Sequence, residues 1–296
     1  RQMCIRDSNS PSNLVSFLTE TYTDAFMVLH KGEVVFERYL NGMTADAPHQ
    51  MMSVTKSFAG LLALLAESQG LLREEDLVTK WVPELNASGA FNEATVGQVL
   101  NMTNSTAFSE NYSDPDSDIQ QYGRVLGLIR AQPDEQLPDN LYDYLVTLKK
   151  GPLDHGAQYE YQTPKADVLN WLTNRATGLS FEENLAESLW IPLGADGETY
   201  VLLDKNGNLF AGGGLNASPN NLARFAAMMV NSGRADSRQI IPTKILETLQ
   251  AGASKEQFAN SIDAQGTFAD GHWSYRAQWW IRQTPGKESI NALGIN

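Results

Sequence analysis

The sequence predicts an α/β (α+β) fold: an antiparallel sheet flanked by helices, with a mainly helical insertion. Three observations predict it. Two β-rich runs, residues 26–30 and 33–39, lie on either side of Lys31-Gly32, which is a hairpin signal. Residues 275–282 (YRAQWWIR) and 290–295 read as strands towards the other end. Between Leu71 and Trp190 the signals are mostly helical. Strands at both ends with helices between them imply one sheet unit interrupted by an insertion. On this reading residues 13–52 and 196–296 make the sheet unit, and residues 53–195 the helical one. The strand 290–295 stops partway, so the sheet unit is expected to be incomplete at its C-terminal edge.

The elements follow in chain order. Residues 1–12 are set apart as a non-native leader, because Arg1 to Ser8 (RQMCIRDS) matches nothing that follows and looks like adapter-derived sequence. After the hairpin a loop runs through 41–48. A helix is predicted over 53–68, with Gly70 as its C-terminal stop. Its middle, FAGLLALLA (58–66), is apolar on all sides, which marks a buried helix, and it is too short to span a bilayer. Residues 131–140 read as a proline-rich acidic loop. Thr163-Pro164 reads as an N-cap followed by Pro at the first helical position. Ser180 and Glu183 have capping-box spacing. Gly212-Gly213-Gly214 punctuates a strand, and residues 219–232 read as a helix.

Composition narrows the function. Apolar residues make up 42% of the 296 and charged residues 19%, ordinary for a globular chain. Lys plus Arg is 22 and Asp plus Glu is 35, a net charge of −13. Such a chain, without a basic cluster, repels phosphate backbones, which argues against nucleic acid as a partner. Cys4 is the only cysteine, so no intrachain disulfide and no thiolate metal site is expected. The four histidines are scattered and form no His-Glu-x-x-His, which argues against a zinc hydrolase. Asp114, Asp116 and Asp118 suggest a calcium loop at first sight. The glycine and glutamate such a loop needs at its sixth and twelfth positions are Ile119 and Val125 here. The acidic run fits a helix N-terminus instead, where carboxylates are favoured.

Ser53-Val54-Thr55-Lys56 is the only S-x-x-K in the chain. On a helix this spacing puts hydroxyl and amine on one face, one turn apart. A serine hydroxyl is a weak nucleophile until a neighbouring base takes its proton. A lysine serves as that base when burial or a nearby cation disfavours its charged form. The helix start also offers a backbone N–H to an oxyanion. The competing possibility is a plain N-cap at Ser53 and a solvated first-turn Lys56. The buried helix that follows favours catalysis.

The stretch 49–58 (HQMMSVTKSF) resembles the active-site region of the serine β-lactamase-like superfamily, the class C β-lactamase and penicillin-binding protein fold. The resemblance covers the chain from about Phe26 onward. The motif set of that superfamily is S-x-x-K, a second motif such as Y-x-N, and a K-T-G-like strand. The resemblance implies that Tyr161-Gln162-Thr163 is the second motif, with Thr163 in place of Asn and Tyr161 sharing proton transfer. Tyr159 is its neighbouring competitor. Tyr39-Leu40-Asn41 also spells Y-x-N, but it precedes the serine within a predicted strand and is read as chance.

The loop 108–118 (FSENYSDPDSD) is similar to that of the 6-aminohexanoate-dimer hydrolase and esterase branch, which implies that Tyr112 closes over bound substrate. Residues 211–223 (AGGGLNASPNNLA) resemble the family's strand–turn–helix, and without a G-K-[ST] ending they are not a phosphate loop. Trp279-Trp280 reads as core rather than cleft. The third motif is expected where Gly294-Ile295-Asn296 ends. The branch tends to read G-x-H-G there, which implies that Asn296 replaces the histidine as a substrate-binding residue.

The resemblance thus implies a serine hydrolase acting on a small-molecule amide or ester through an acyl-enzyme, with Ser53 as nucleophile and Lys56 as base. The 6-aminohexanoate-oligomer hydrolase or carboxylesterase type is the expected branch. The alternatives are a β-lactamase or DD-peptidase and, in another class, a catalytically silent binding or sensor domain on the same fold. No metal or cofactor is implied, and no transmembrane segment is expected. Oligomeric state is not legible in the residues, and a periplasmic or secreted location is favoured over the cytoplasm.

Overall fold

The computed structural model describes residues 13–295, so the leader 1–12 and Asn296 lie outside the described residues. The first hairpin forms as the pattern predicts. Strands Ala25–His30 and Glu33–Tyr39 pair antiparallel, from Ala25 opposite Tyr39 to His30 opposite Glu33. Lys31 and Gly32 both take positive φ, 55° and 86°. That is the two-residue turn whose twist matches its strands.

The helix predicted over 53–68 is Val54–Ser68, and its residues from Thr55 to Ala66 are all buried. It packs against helices Pro164–Thr177, Phe181–Leu185 and Thr243–Ala251 and against strand Trp279–Arg282. A helix apolar on all sides needs neighbours all round, and these elements supply them. The large apolar core runs through this helix, the Pro164–Thr177 helix and the last strands. A second cluster is aromatic: Tyr159, Phe258, Trp273, Tyr275 and Trp280, with Met102.

Residues 275–282, expected as one strand, belong instead to a hairpin of Trp273–Arg276 and Trp279–Arg282 joined by Ala277-Gln278. Ala277 and Gln278 have φ of 51° and 66°, although neither is glycine. Tertiary contacts hold them there. Ser57 Oγ donates to Gln278 O at 2.8 Å, Ala277 N donates to Asn101 Oδ1 at 2.9 Å, and Gln278 Nε2 donates to Leu100 O at 3.0 Å. Gly60 permits the approach, because a Cβ there would stand 2.0 Å from Ala277 O. The turn carries no Gly or Asn signal, so the residues read as continuous strand.

The strand expected over 290–295 is only Ser289–Asn291, paired to Trp279–Arg282. The residues after it run to the start of the Val54–Ser68 helix. A Cβ on Gly294 would lie 2.8 Å from Met51 O and 3.2 Å from Ser53 N. A further three-stranded group, His49–Gln50, Leu215–Ala217 and Tyr200–Val201, pairs the segment just ahead of Ser53 with the segment after Gly214. This pairing joins two distant parts of the chain at the site. The Ser180–Glu183 capping box is present, and the helix predicted over 219–232 is Pro219–Val230, capped by Ser218. Among the described residues no helix is long and apolar enough to cross a membrane, and no cluster of three His, Cys, Asp or Glu side chains could hold a metal ion.

Candidate active site

Ser53 stands one residue ahead of the Val54–Ser68 helix. Met52, before it, has φ of 44°, a value that residues with side chains seldom adopt. The chain therefore turns sharply and presents Ser53 at the helix start. Ser53 is not a simple N-cap: its backbone is near-helical, with no side-chain cap bond. Its Oγ accepts instead from Lys56 Nζ at 2.8 Å. Lys56 is 1% exposed, so it is not a solvated first-turn residue either. Its Nζ also donates to Gly212 O at 2.6 Å. Among the described residues the Ser53 N–H has no acceptor.

Tyr161 arrives on the segment leading into helix Pro164–Thr177, and its ring centroid lies 5.1 Å from Lys56 Nζ. The ring stacks on Trp280, with centroids 5.7 Å apart, and meets Tyr275 edge-on at 6.3 Å. The aromatic cluster thus fixes the plane of Tyr161. Trp279 and Trp280 are both buried, and Trp280 backs Tyr161 from behind. Tyr159 is enclosed by Phe258, Tyr275 and Trp280, away from the cavity beside Ser53. Thr163 does not cap the helix that follows. Its backbone is already helical, and its hydroxyl donates to the Glu110 carboxylate.

Glu110 organises the loop. Its Oε2 accepts from Thr163 N at 2.9 Å, and its Oε1 accepts from Tyr112 OH at 2.6 Å. Tyr112 is 43% exposed and lines the same cavity as Ser53. Burial of its hydroxyl end, with the Glu110 carboxylate beside it, raises the phenol above its ordinary pKa. The cavity measures about 140 Å³, and its walls are mainly apolar, with Met52, Ile119, Leu126, Ile129, Phe210 and Ile295 among them. Asn296 lies outside the described residues, and Ile295, just before it, lines the cavity. The acidic run precedes helix Asp118–Val125 and ties its own loop together. Asp118 Oδ2 accepts from Ser109 N at 2.7 Å, and Asp114 Oδ1 accepts from Asp116 N at 3.0 Å. A broader hollow lined by Glu74, Lys244, Glu247 and Arg276 shares no residue with this cavity, and Arg276 there is paired to Glu74.

Two buried ionisable groups come from the first turn of helix Pro164–Thr177. Asp167 Oδ1 accepts from Ala211 N at 2.6 Å and Gly212 N at 3.3 Å, and its Oδ2 accepts from Tyr122 OH at 2.5 Å. Burial pushes this carboxyl up to about 7, against the pull of those bonds and of Lys56. Lys165 Nζ donates to Glu160 O at 3.0 Å and to Met102 O at 3.4 Å, and burial pulls it down to about 7. Sequence reasoning missed Glu110, Asp167 and Lys165. An acid inside the apolar run ADVLNWL was the available signal for Asp167. A lysine beside Pro164 and a glutamate in an acidic loop offered none.

The beta-lactamase family model matches residues 14–295, and the chain belongs to that family. It is an enzyme, a hydrolase on the β-lactamase-like fold. It is 36% identical over 279 residues to the 6-aminohexanoate-dimer hydrolase of Paenarthrobacter ureafaciens, which is 94% of this chain and 68% of that protein. A Bacillus anthracis structure, provisionally named a 6-aminohexanoate-dimer hydrolase, matches with a TM-score of 0.85 at 28% identity. That match covers 97% of this chain and 72% of the other. The penicillin-binding protein homologue of Pyrococcus abyssi shares the fold, with a TM-score of 0.67 at 19% identity over 93% of this chain and 65% of its own.

Proposed function

We propose that this hydrolase cleaves an amide or ester bond of a small molecule through an acyl-enzyme on Ser53. The observation that carries the reading is the 2.8 Å contact between Ser53 Oγ and the buried Lys56 Nζ. With Lys56 neutral, the same contact runs the other way, Oγ–H donating to Nζ. Lys56 takes that proton as Oγ attacks the carbonyl carbon. The Ser53 N–H, at the helix start, stabilises the oxyanion. Tyr161, across Nζ, passes its proton to the departing amine or alkoxide as the old C–N or C–O bond breaks, and takes the proton held by Lys56 in return. Water then gives a proton to the neutral Lys56 as it attacks the acyl carbon, and Lys56 returns that proton to Ser53 Oγ as the acyl C–O bond breaks and the acid leaves. The apolar cavity takes the acyl chain, and Tyr112 covers it at the rim. The relative named for a 6-aminohexanoate dimer supports a linear amide, and the apolar walls suit linear esters equally.

A fluorophosphonate probe is expected to label Ser53, and a p-nitrophenyl ester to be turned over. Ser53→Ala is expected to abolish both. Undiminished turnover by Ser53→Ala overturns the reading. Stable acylation by penicillin, with no ester turnover, moves the function to a peptidase.

A further inference from the structure

We propose that Asp167 is a positioning residue for Lys56: it holds the lysine through the Gly212 peptide and supplies the buried negative charge that balances it once it has taken a proton. The link is short. One carboxylate oxygen, Asp167 Oδ1, accepts from the N–H groups of both Ala211 and Gly212. The carbonyl of that same Gly212 accepts from Lys56 Nζ at 2.6 Å, and Nζ reaches Ser53 Oγ at 2.8 Å. Tyr122 OH, at 2.5 Å, holds the other carboxylate oxygen and so fixes the plane of the group.

The Gly212 segment needs such an anchor. Three successive glycines carry no side chains to hold them, and glycine backbone is costly to order. The segment is also packed tightly. A Cβ on Gly212 would stand 2.4 Å from Thr163 Cγ2 and 2.5 Å from the Phe210 ring. A small shift of Asp167 therefore moves the Gly212 carbonyl, and the carbonyl aims Nζ.

Hydrogen bonding alone would be met by a neutral amide, whereas a buried carboxylate carries a desolvation cost. Lys56 becomes a cation when it takes the Ser53 proton, and its field then lowers the Asp167 carboxyl, which burial raises. Among the described residues no carboxylate bonds it directly, and Asp167, one peptide away, is the anion that balances it. This rests on the reading of Lys56 as the base.

The test uses Asp167→Asn and Asp167→Ala in the intact protein. The probes are p-nitrophenyl acetate burst kinetics and fluorophosphonate labelling, each expressed per titrated Ser53. Asp167→Ala is expected to slow acylation on the order of 10²-fold with little change in KM, the effect of a misplaced catalytic group. Asp167→Asn keeps an acceptor for the two N–H groups but not the charge, and is expected to lose about tenfold. A purely structural role lowers the number of titratable serines and leaves the rate of each unchanged. Wild-type acylation per serine in Asp167→Asn overturns the proposal, and this variant decides alone where Asp167→Ala does not fold. Equal losses in the two variants overturn the route through Gly212. An unlabelled Ser53 in the wild-type protein overturns the acyl-enzyme reading and this inference with it. A labelled Ser53 that is indifferent to Asp167 overturns this inference alone.

Discussion

The two walls of the site are held in opposite ways. On one wall Ser53 and Lys56 are buried at the start of a helix enclosed from Thr55 to Ala66, and Lys56 Nζ meets both Ser53 Oγ and the Gly212 carbonyl. On the other, Tyr112 stands half in solvent, tethered through its hydroxyl to Glu110. On the proposed mechanism these are the groups that move protons, a task that tolerates little misplacement, and they are set in the core. On the proposed mechanism substrate enters and leaves past the opposite wall, a loop whose tyrosine is held by its hydroxyl to Glu110 and by its carbonyl to Gln120.

Breaking the fixed wall is expected to cost most. Lys56→Ala should lower kcat/KM by about 10⁴-fold, because a nucleophile and its base act as a unit. Ester hydrolysis retained within tenfold in steady-state assays would remove Lys56 from the mechanism. Next comes Tyr161→Phe. It keeps the ring stacked on Trp280 but loses the hydroxyl, so kcat should fall by roughly 10²-fold, the usual scale of a general acid–base step, with the melting temperature nearly unchanged. An unaltered kcat would assign the proton to another group.

The yielding wall sharpens the contrast. Tyr112→Phe frees the ring from Glu110, and Glu110→Gln weakens charge-assisted bonds to both Tyr112 and Thr163. Both variants are expected to raise KM about threefold to tenfold while kcat changes less, as for lost uniform binding. A collapse in kcat from either would place this loop in the chemistry itself.

The smallest effect on catalysis is expected at Lys165, buried behind the fixed wall, where the readout is stability instead. Its folded pKa, about 7, lies below its ordinary value of 10.5. Between those two values the unfolded chain holds a proton that the folded one lacks, so stability rises with pH across that window. Below about 7 both states are protonated and the penalty is constant. The slope is at most about 1.4 kcal/mol per pH unit. Lys165→Met should flatten it in urea melts taken from pH 7 to 10, and an unchanged slope would assign the titration elsewhere.

The local signals in the sequence were faithful where local physics decides. Lys31-Gly32 makes its turn, FAGLLALLA is buried, and Ser53 and Lys56 meet at helical spacing. The resemblance pointed to Tyr161 and Tyr112, and the structure sets Tyr161 beside Lys56 and Tyr112 in the cavity lined by Ser53. The failures share a cause. Ala277-Gln278 turns because Ser57, Asn101 and Leu100 grip it from afar. Thr163 leaves its cap because Glu110 competes for its hydroxyl. Asp167 matters through Gly212, a partner brought close only by the fold. Propensity describes what a residue does with its chain neighbours, and each of these residues is governed by a distant one.

The close fit of the Ala277 turn over Gly60 also sets a timetable for synthesis. Ser57 and its partner Gln278 are 221 residues apart in the chain. At the usual pace of translation the Val54–Ser68 helix waits roughly 10–40 s before the strand hairpin that covers it has been made. During that interval the face of this apolar segment that meets the hairpin has no permanent cover, which makes it a natural client for chaperones. Contacts of such long sequence separation also form slowly in a refolding chain. Ser53 is made early, yet the helix that carries it is enclosed only after residue 278 has emerged. Hydrolytic activity during refolding should therefore appear with the last phase of burial rather than with the first helices.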